Sequence, residues 1–93
     1  MFPPPGTTGN MGAPRKKSPD AGTAIRHFRH EAGLSQDGLA DSMDVSPSYI
    51  SMLESGKRYP SIEMLIRIAL ALNIKPGLML DYIAERYLQR KES

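Results

Sequence analysis

The chain has 93 residues, of which 40% are hydrophobic and 24% are charged, and it contains no cysteine. This length accommodates one domain at most, and the lack of cysteine excludes a disulfide framework and a thiolate site. The sequence shows neither an apolar run of the roughly 18 residues that span a membrane nor a secretory leader. We therefore expect a cytoplasmic protein without a membrane partner.

Net charge does not by itself indicate a nucleic-acid partner. The formal net charge is +2, and residues 1–21 supply all of it, with Arg15, Lys16 and Lys17 against Asp20. Residues 22–93 carry nine basic and nine acidic side chains, so that part of the chain is neutral. Binding to DNA would therefore depend on which charges share a face of the fold.

Residues 1–21 are predicted to form a disordered, basic arm rich in proline and glycine. The first twenty residues contain five of the eight prolines and three of the eight glycines, and a segment of this composition has little to bury. The arm either follows DNA or acts as a solubilising tail, and the sequence leaves both roles open.

Five short helices are predicted after the arm, over residues 22–32, 35–43, 46–55, 61–72 and 76–90. Ser35, Ser46 and Ser61 are typical N-cap residues, Pro47 follows one of them at the first helical position, and Gly33 is a typical helix end. The predicted core positions, which recur at helical spacing, are Ala24, Ile25, Phe28, Ala32, Leu39, Ala40, Ile50, Leu53, Leu65, Ile68, Ala69 and Leu72. The sequence therefore predicts a compact all-α domain of five helices.

The second and third predicted helices are joined by a turn of about three residues, which forces them to cross steeply. Around this turn the sequence resembles the lambda-repressor/Cro-like (XRE-type) helix-turn-helix family, over about residues 22–75. The residues that carry the resemblance are Arg29, Gly33, Leu34, Ser35, Gln36, Leu39, Ala40, Val45, Ser46, Ile50, Leu53, Glu54, Gly56, Lys57, Pro60, Leu65, Ala69 and Leu72. The resemblance implies a DNA-binding domain over 22–75 and a transcriptional regulator of repressor type. Such a protein binds a pseudo-palindromic operator as a homodimer, with its third helix in the major groove.

The resemblance also implies which side chains contact double-stranded DNA. Gln36 corresponds to a phosphate-binding residue at the start of the second helix, which suits a helix N-terminus. Lys57 and Arg58 lie in the loop that follows the DNA backbone. The positions implied to face the groove are Ser46, Pro47, Ser48 and Met52, flanked by Ser51 and Ser55.

Some of these positions keep a second interpretation. Ser46 is also an N-cap, Tyr49 either reaches a phosphate or packs against the fourth helix, and Met52 is either a contact or solvent-exposed. The third helix offers no Gln, Asn or Arg for a bidentate base contact. Asp41 would repel phosphates, so we expect it to point away from the DNA.

Arg29 and Glu54 correspond to the family's ion pair between the first helix and the end of the third. The pair is implied to fix the loop that follows the third helix. Two residues depart from the family pattern. Asp44 stands where glycine is usual at the turn, although aspartate tolerates a left-handed backbone. Gly38 stands where a glutamate would complete a capping box with Ser35.

The sequence predicts no metal site, cofactor, small-molecule ligand or catalytic centre. His27 and His30 are three residues apart on a helix, but no third ligand stands at a recognisable spacing, so we expect them to be solvated or to face a partner. No Ser/His/Asp set and no glycine-rich phosphate loop has the required context.

Residues 76–93 are predicted to complete the core and to contribute to a homodimer. Leu80 and Ile83 are expected to point inward, and the candidate interface residues are Met79, Tyr82, Ile83 and Tyr87. The alternative is that all of them finish the core of a monomer. A different class of function also stays open, namely a protein–protein adaptor or antitoxin-like module that docks through the apolar last helix.

Overall fold

The structure, a computed structural model, describes residues 19–92. These residues form α1 (Asp20–Glu31), α2 (Gln36–Met43), α3 (Pro47–Ser55), α4 (Ile62–Ala71) and α5 (Pro76–Glu92). No strand occurs among them, so the predicted all-α, five-helix fold is confirmed. None of the five helices is long and apolar enough to cross a membrane.

Three of the helices begin at the serines that the sequence indicates. The hydroxyls of Ser35, Ser46 and Ser61 each accept a hydrogen bond from the backbone N–H three residues later, at 2.9, 3.1 and 3.0 Å. Each bond satisfies one of the N–H groups that the start of a helix leaves without an intrahelical partner.

Helix ends coincide with residues in the left-handed backbone region. Gly33 and Gly56 follow α1 and α3 with φ of 73° and 85°, where the lack of a Cβ removes the steric penalty. Asp44 ends α2 with φ 59° and ψ 44°, so aspartate adopts the left-handed conformation at the turn. The α2–α3 connection, residues 44–46, is as short as predicted.

The first helix begins two residues earlier than predicted. Asp20 and Ala21 belong to α1 and are only 2% and 8% exposed, and the Asp20 carboxylate pairs with Arg90 near the end of α5. Apolar spacing does not indicate this turn because its first residue is charged. The end of the predicted 1–21 arm is therefore helical, whereas its basic residues Arg15, Lys16 and Lys17 lie outside the described residues.

The core forms where all five helices meet. Most of the predicted core positions are buried, but Leu65 is only half-buried and Ala32 is exposed, because it caps the end of α1. The largest fully buried side chains are Ile25, Leu39, Ile50, Leu53, Ile68 and Met79.

The orientation of α5 differs from the prediction at two adjacent residues. Met79 is 1% exposed and lies in the core, whereas Leu80 is 56% exposed. Residues 78–80 are all apolar, and at about 100° per residue such a run covers more than half of the helix circumference. The sequence therefore does not determine which of them faces inward. Tyr82 and Ile83, on the same side as Met79, pack against the core.

The helices pack so that α3 lies between α1 and α2. α1 contacts α3 and α5, α2 contacts α3 and α4, and α4 contacts α5. At Gly22 the backbone of α1 approaches the end of α3 closely: a Cβ there would lie 2.6 Å from the carbonyl oxygens of both Leu53 and Glu54. This contact sets the distance between α1 and the last turn of α3.

Candidate nucleic-acid interface

The outer side of α3 and its N-cap form an uncharged surface, which we call the recognition face: Ser46, Pro47, Ser48, Tyr49, Ser51 and Met52. The serines and the proline are exposed, and Tyr49 and Met52 are half-buried. The opposite side of the helix, with Ile50 and Leu53, is buried. The face therefore presents the side chains that the sequence assigns to the groove, although the Ser46 hydroxyl is also the helix cap.

Arg58 is held beside the recognition face by two contacts. Its backbone N–H donates to the Met52 carbonyl at 3.1 Å, and its guanidinium lies over the Tyr49 ring, 5.6 Å from the centroid. The Tyr49 ring thus packs partly against the core and partly under a cation, an arrangement that limits the freedom of the arginine. The neighbouring Lys57 is exposed.

A buried carboxylate connects three helices behind this face. Glu54 accepts hydrogen bonds from Arg29 Nε at 2.6 Å and Arg29 Nη2 at 3.0 Å, which form a bidentate pair. Arg29 Nη1 also donates to the Leu34 carbonyl at 2.8 Å. The ion pair that the family resemblance implies is therefore present, and its arginine also fixes the segment that leads into α2.

Gln36 joins the same carboxylate. Its Nε2 donates to Glu54 Oε1 at 3.0 Å, so one N–H of the side-chain amide is engaged inside the protein. An amide nitrogen carries two N–H groups, and the second is not used by Glu54. Gln36 is half-buried at the first position of α2, with its remaining donor available to an anion.

The partners of Glu54 decide its charge state. Burial by itself would raise the pKa of Glu54, but hydrogen bonds from Arg29 and Gln36 and the charges of Arg29 and Arg26 outweigh it, so that the pKa lies below its ordinary value of 4.5. The hydrogen bond to Glu54 raises the pKa of Arg29 in turn. Both groups are therefore charged near neutral pH.

Acidic side chains border one edge of the recognition face. Asp37 and Asp41 line a groove together with Pro47, the first residue of α3. Asp41 is exposed at this groove, and its orientation away from bound DNA stays a prediction. A carboxylate at this edge makes Pro47 the least suitable residue of the face to approach a phosphate.

The two histidines do not form a metal site. The His27 ring stacks on Tyr82 at a centroid distance of 4.6 Å and meets the edge of Phe28 at 4.8 Å, so His27 packs between α1 and α5 instead of being solvated. His30 is exposed, as expected. Within residues 19–92 no three potential metal ligands come together.

The residues predicted for a dimer interface do not form one surface. Met79 is in the core, Tyr82 and Ile83 are half-buried against it, and Tyr87 is 44% exposed. Met79 is unsuitable for an interface because it is only 1% exposed and belongs to the core of the monomer.

Exposed apolar side chains gather elsewhere, on a surface that we call the α4–α5 apolar face: Ile62, Ile66, Leu70 and Leu80. The three residues of α4 follow at four-residue intervals, and Ile62 and Leu70 are 69% and 63% exposed. Ile62 and Leu80 line two apolar grooves between the helices. A partial signal for this face is present in the sequence, because α4 has apolar residues on more sides than one core contact requires.

Comparison with known proteins agrees with this geometry. A family described as helix-turn-helix matches residues 25–79, which cover α2, α3 and most of the predicted DNA-binding part. The HTH-type transcriptional regulator RamB of Mycobacterium tuberculosis is 38% identical over 47 residues, which are 50% of this chain and 10% of RamB. The chain thus spans only a small part of the length of this relative.

Two solved structures are similar over most of the described residues. The clp gene regulator ClgR of Corynebacterium glutamicum superposes with a TM-score of 0.71 at 34% identity, over 78% of this chain and 79% of that chain. SinR, a master regulator for biofilm formation solved in complex with DNA, gives a TM-score of 0.59 at 31% identity, over 64% of this chain and 97% of that chain.

Proposed function

We propose that this chain, which belongs to the lambda-repressor/Cro-like (XRE-type) helix-turn-helix family, is a transcriptional regulator. It binds double-stranded DNA in the cytoplasm. The family consists of regulators and not of enzymes. In this proposal it acts as a repressor. A homodimer inserts α3 of each protomer into the major groove at the two halves of a pseudo-palindromic operator.

The observation that carries the proposal is the network around Glu54. One buried carboxylate bonds to α1 through Arg29 and to the start of α2 through Gln36. Because Glu54 lies near the end of α3, the network fixes the exposed Lys57 and Arg58 just beyond it relative to Gln36. The three proposed phosphate contacts, Gln36, Lys57 and Arg58, thus belong to one connected structure with the uncharged recognition face, and such contacts position a helix in a groove.

The chemistry of the recognition face restricts how bases are distinguished. Ser48 and Ser51 offer hydroxyls, and Met52 offers an apolar contact suited to a thymine methyl group. None of these makes a bidentate contact with a base pair. Sequence-dependent shape and deformability of the operator therefore contribute a large part of the specificity, and the phosphate contacts of Gln36, Lys57 and Arg58 position the helix.

Two variants and a matched control test the phosphate contacts. Lys57→Gln and Arg58→Gln should each weaken binding to a mixed-sequence duplex and reduce the slope of log K against log salt by about one. Lys75→Gln removes the same charge from the exposed connection between α4 and α5 and should leave the slope unchanged. Fluorescence anisotropy over a salt series measures all three. Equal slopes for the wild type, Lys57→Gln and Arg58→Gln would contradict the proposed function.

For the homodimer we assign a second copy of the chain to the α4–α5 apolar face. An exposed apolar stripe of this kind is typical of an interface, and a two-fold dimer would bury the same stripe on both protomers. Leu80→Asp should give a monomer in sedimentation experiments. Leu88→Asp is the control, because Leu88 has the same 56% exposure on α5 but lies outside the two grooves. A dimer that survives Leu80→Asp would exclude this face.

The same exposed face supports a second candidate function, a protein–protein adaptor or antitoxin-like module. An adaptor would use the face for a different protein and would not need Lys57 or Arg58. It predicts a wild-type protein that is monomeric and does not bind duplex DNA at low salt, whereas the regulator predicts the opposite in both assays.

A further inference from the structure

Arg26, which the sequence pattern does not single out, lies beside the Glu54 network. Its Nε is 3.5 Å from Glu54 Oε1, the oxygen to which Gln36 also donates. Both side chains therefore approach the same atom, one from α1 and one from the start of α2. Whereas Arg29 is buried, the Arg26 side chain is 54% exposed.

Glu54 does not need Arg26 to be satisfied. Arg29 and Gln36 already donate three hydrogen bonds to its two oxygens. The 3.5 Å separation from Arg26 exceeds the range of about 2.7–3.2 Å for an N–H···O hydrogen bond. Among the side chains of residues 19–91, Glu54 is the only acidic one within 4.0 Å of this guanidinium. Arg26 thus has an ion-pair contact with Glu54 but donates no side-chain hydrogen bond to the described part of the chain.

The cluster has one positive charge in excess. Two guanidinium groups share one carboxylate, and Arg29 neutralises it. The neighbours of Arg26 one turn away on the same helix, Gly22, Thr23, Arg29 and His30, include no acid. The excess positive charge of Arg26 therefore faces solvent. It lies next to Gln36, whose second side-chain N–H is available to an anion.

We propose that Arg26 is a further phosphate-binding residue, which contacts the DNA backbone together with Gln36. The inference rests on the proposed function and extends its phosphate contacts from the loop after α3 to the outer side of α1. A guanidinium has the fork of donors that binds a phosphate in two places. The charge of Glu54 attracts the Arg26 guanidinium and keeps it near Gln36, but Glu54 accepts no hydrogen bond from Arg26.

The test compares Arg26→Gln, Arg26→Lys and the wild type on a mixed-sequence duplex over a salt series. If one phosphate contact is lost, and is worth nothing at about 1 M salt, Arg26→Gln weakens binding by roughly 15-fold at about 50 mM salt and roughly 4-fold at about 200 mM. Its slope of log K against log salt falls by about one, and Arg26→Lys restores the slope. Lys75→Gln again serves as the control for total charge.

Thermal unfolding distinguishes binding from support of Glu54. If Arg26 binds phosphate, the melting temperature of Arg26→Gln should lie within about 2 °C of the wild-type value, because surface substitutions change stability little. An unchanged slope, or a loss of affinity that accompanies a clear fall in melting temperature, would overturn it. If Arg26→Gln keeps the slope while Lys57→Gln lowers it, only this inference fails. If the wild type does not bind duplex DNA at low salt, the proposed function fails with it.

Discussion

Replacing Gly22 by alanine should destabilise the domain, although alanine normally strengthens a helix. The new Cβ would lie 2.6 Å from the carbonyl oxygens of Leu53 and Glu54 and 3.0 Å from the Glu54 carbonyl carbon. All three atoms are backbone, so no flexible side chain can move away, and α1 must lift from the end of α3.

Two opposing contributions set the size of this effect. Alanine gains about 1 kcal/mol over glycine inside a helix, whereas forcing extra volume into a packed contact costs about 1–3 kcal/mol. Because the clash involves two oxygens at once, we take the upper end of that cost and expect a net loss of about 2 kcal/mol. For a domain of this size the melting temperature should fall by about 8–16 °C.

Gly77→Ala is the matched control for this prediction. Gly77 is also in a helix, but a Cβ there would meet no atom within 4 Å. Circular dichroism should therefore show a melting temperature that is unchanged or higher for Gly77→Ala and lower for Gly22→Ala. If Gly22→Ala melts at or above the wild-type temperature, the close approach of α1 and α3 is not a determinant of stability.

Two further predictions concern the Glu54 network and α2. Glu54→Gln leaves the buried Arg29 without its counter-charge, so the free energy of unfolding should fall by about 3–5 kcal/mol at neutral pH. The folded-state pKa of Glu54 is below 4.5, so its contribution is complete above that pH and is lost as the pH falls through the lower folded value. Denaturant titrations should therefore give a flatter acid profile for Glu54→Gln, and a profile parallel to the wild type would contradict this. Gly38→Ala should raise the melting temperature by up to about 4–8 °C, because its Cβ would only touch Leu34 and Ser35 at 3.4 Å; a lower melting temperature would show strain there.

Local signals account for the parts of the fold that could be predicted from the sequence. Ser35, Ser46 and Ser61 mark helix starts because their hydroxyls bond to backbone groups only three residues away. The left-handed turn at Asp44 depends on that residue and its immediate neighbours. Because such effects act within one turn of a helix, they are visible in the chain before it folds.

Features that depend on distant parts of the chain could not be predicted in the same way. Asp20 is buried and pairs with Arg90, seventy residues later. Gly22 is required by the end of α3, and no spacing rule indicates it. Met79 and Leu80 are adjacent and both apolar, and only the packing of α5 on α1 and α4 decides which one is buried.

In the candidate site, too, some residues could be predicted from the sequence and others could not. The family resemblance implies Gln36, Lys57 and Arg58 as phosphate contacts, and these contacts stay predictions. The sequence missed Arg26 because its position near Glu54 follows from packing of α1 on α3. It also missed the α4–α5 apolar face, since an apolar residue in a sequence can be either core or surface.

The most direct test of DNA recognition by this chain is selection of bound duplexes from a random DNA pool by the wild-type protein at physiological salt. We expect enrichment of a pseudo-palindromic site whose two halves are centred about 10 base pairs, or a multiple of this, apart. Failure to enrich any sequence would contradict DNA recognition by this chain. An enriched site without symmetry would contradict the homodimer.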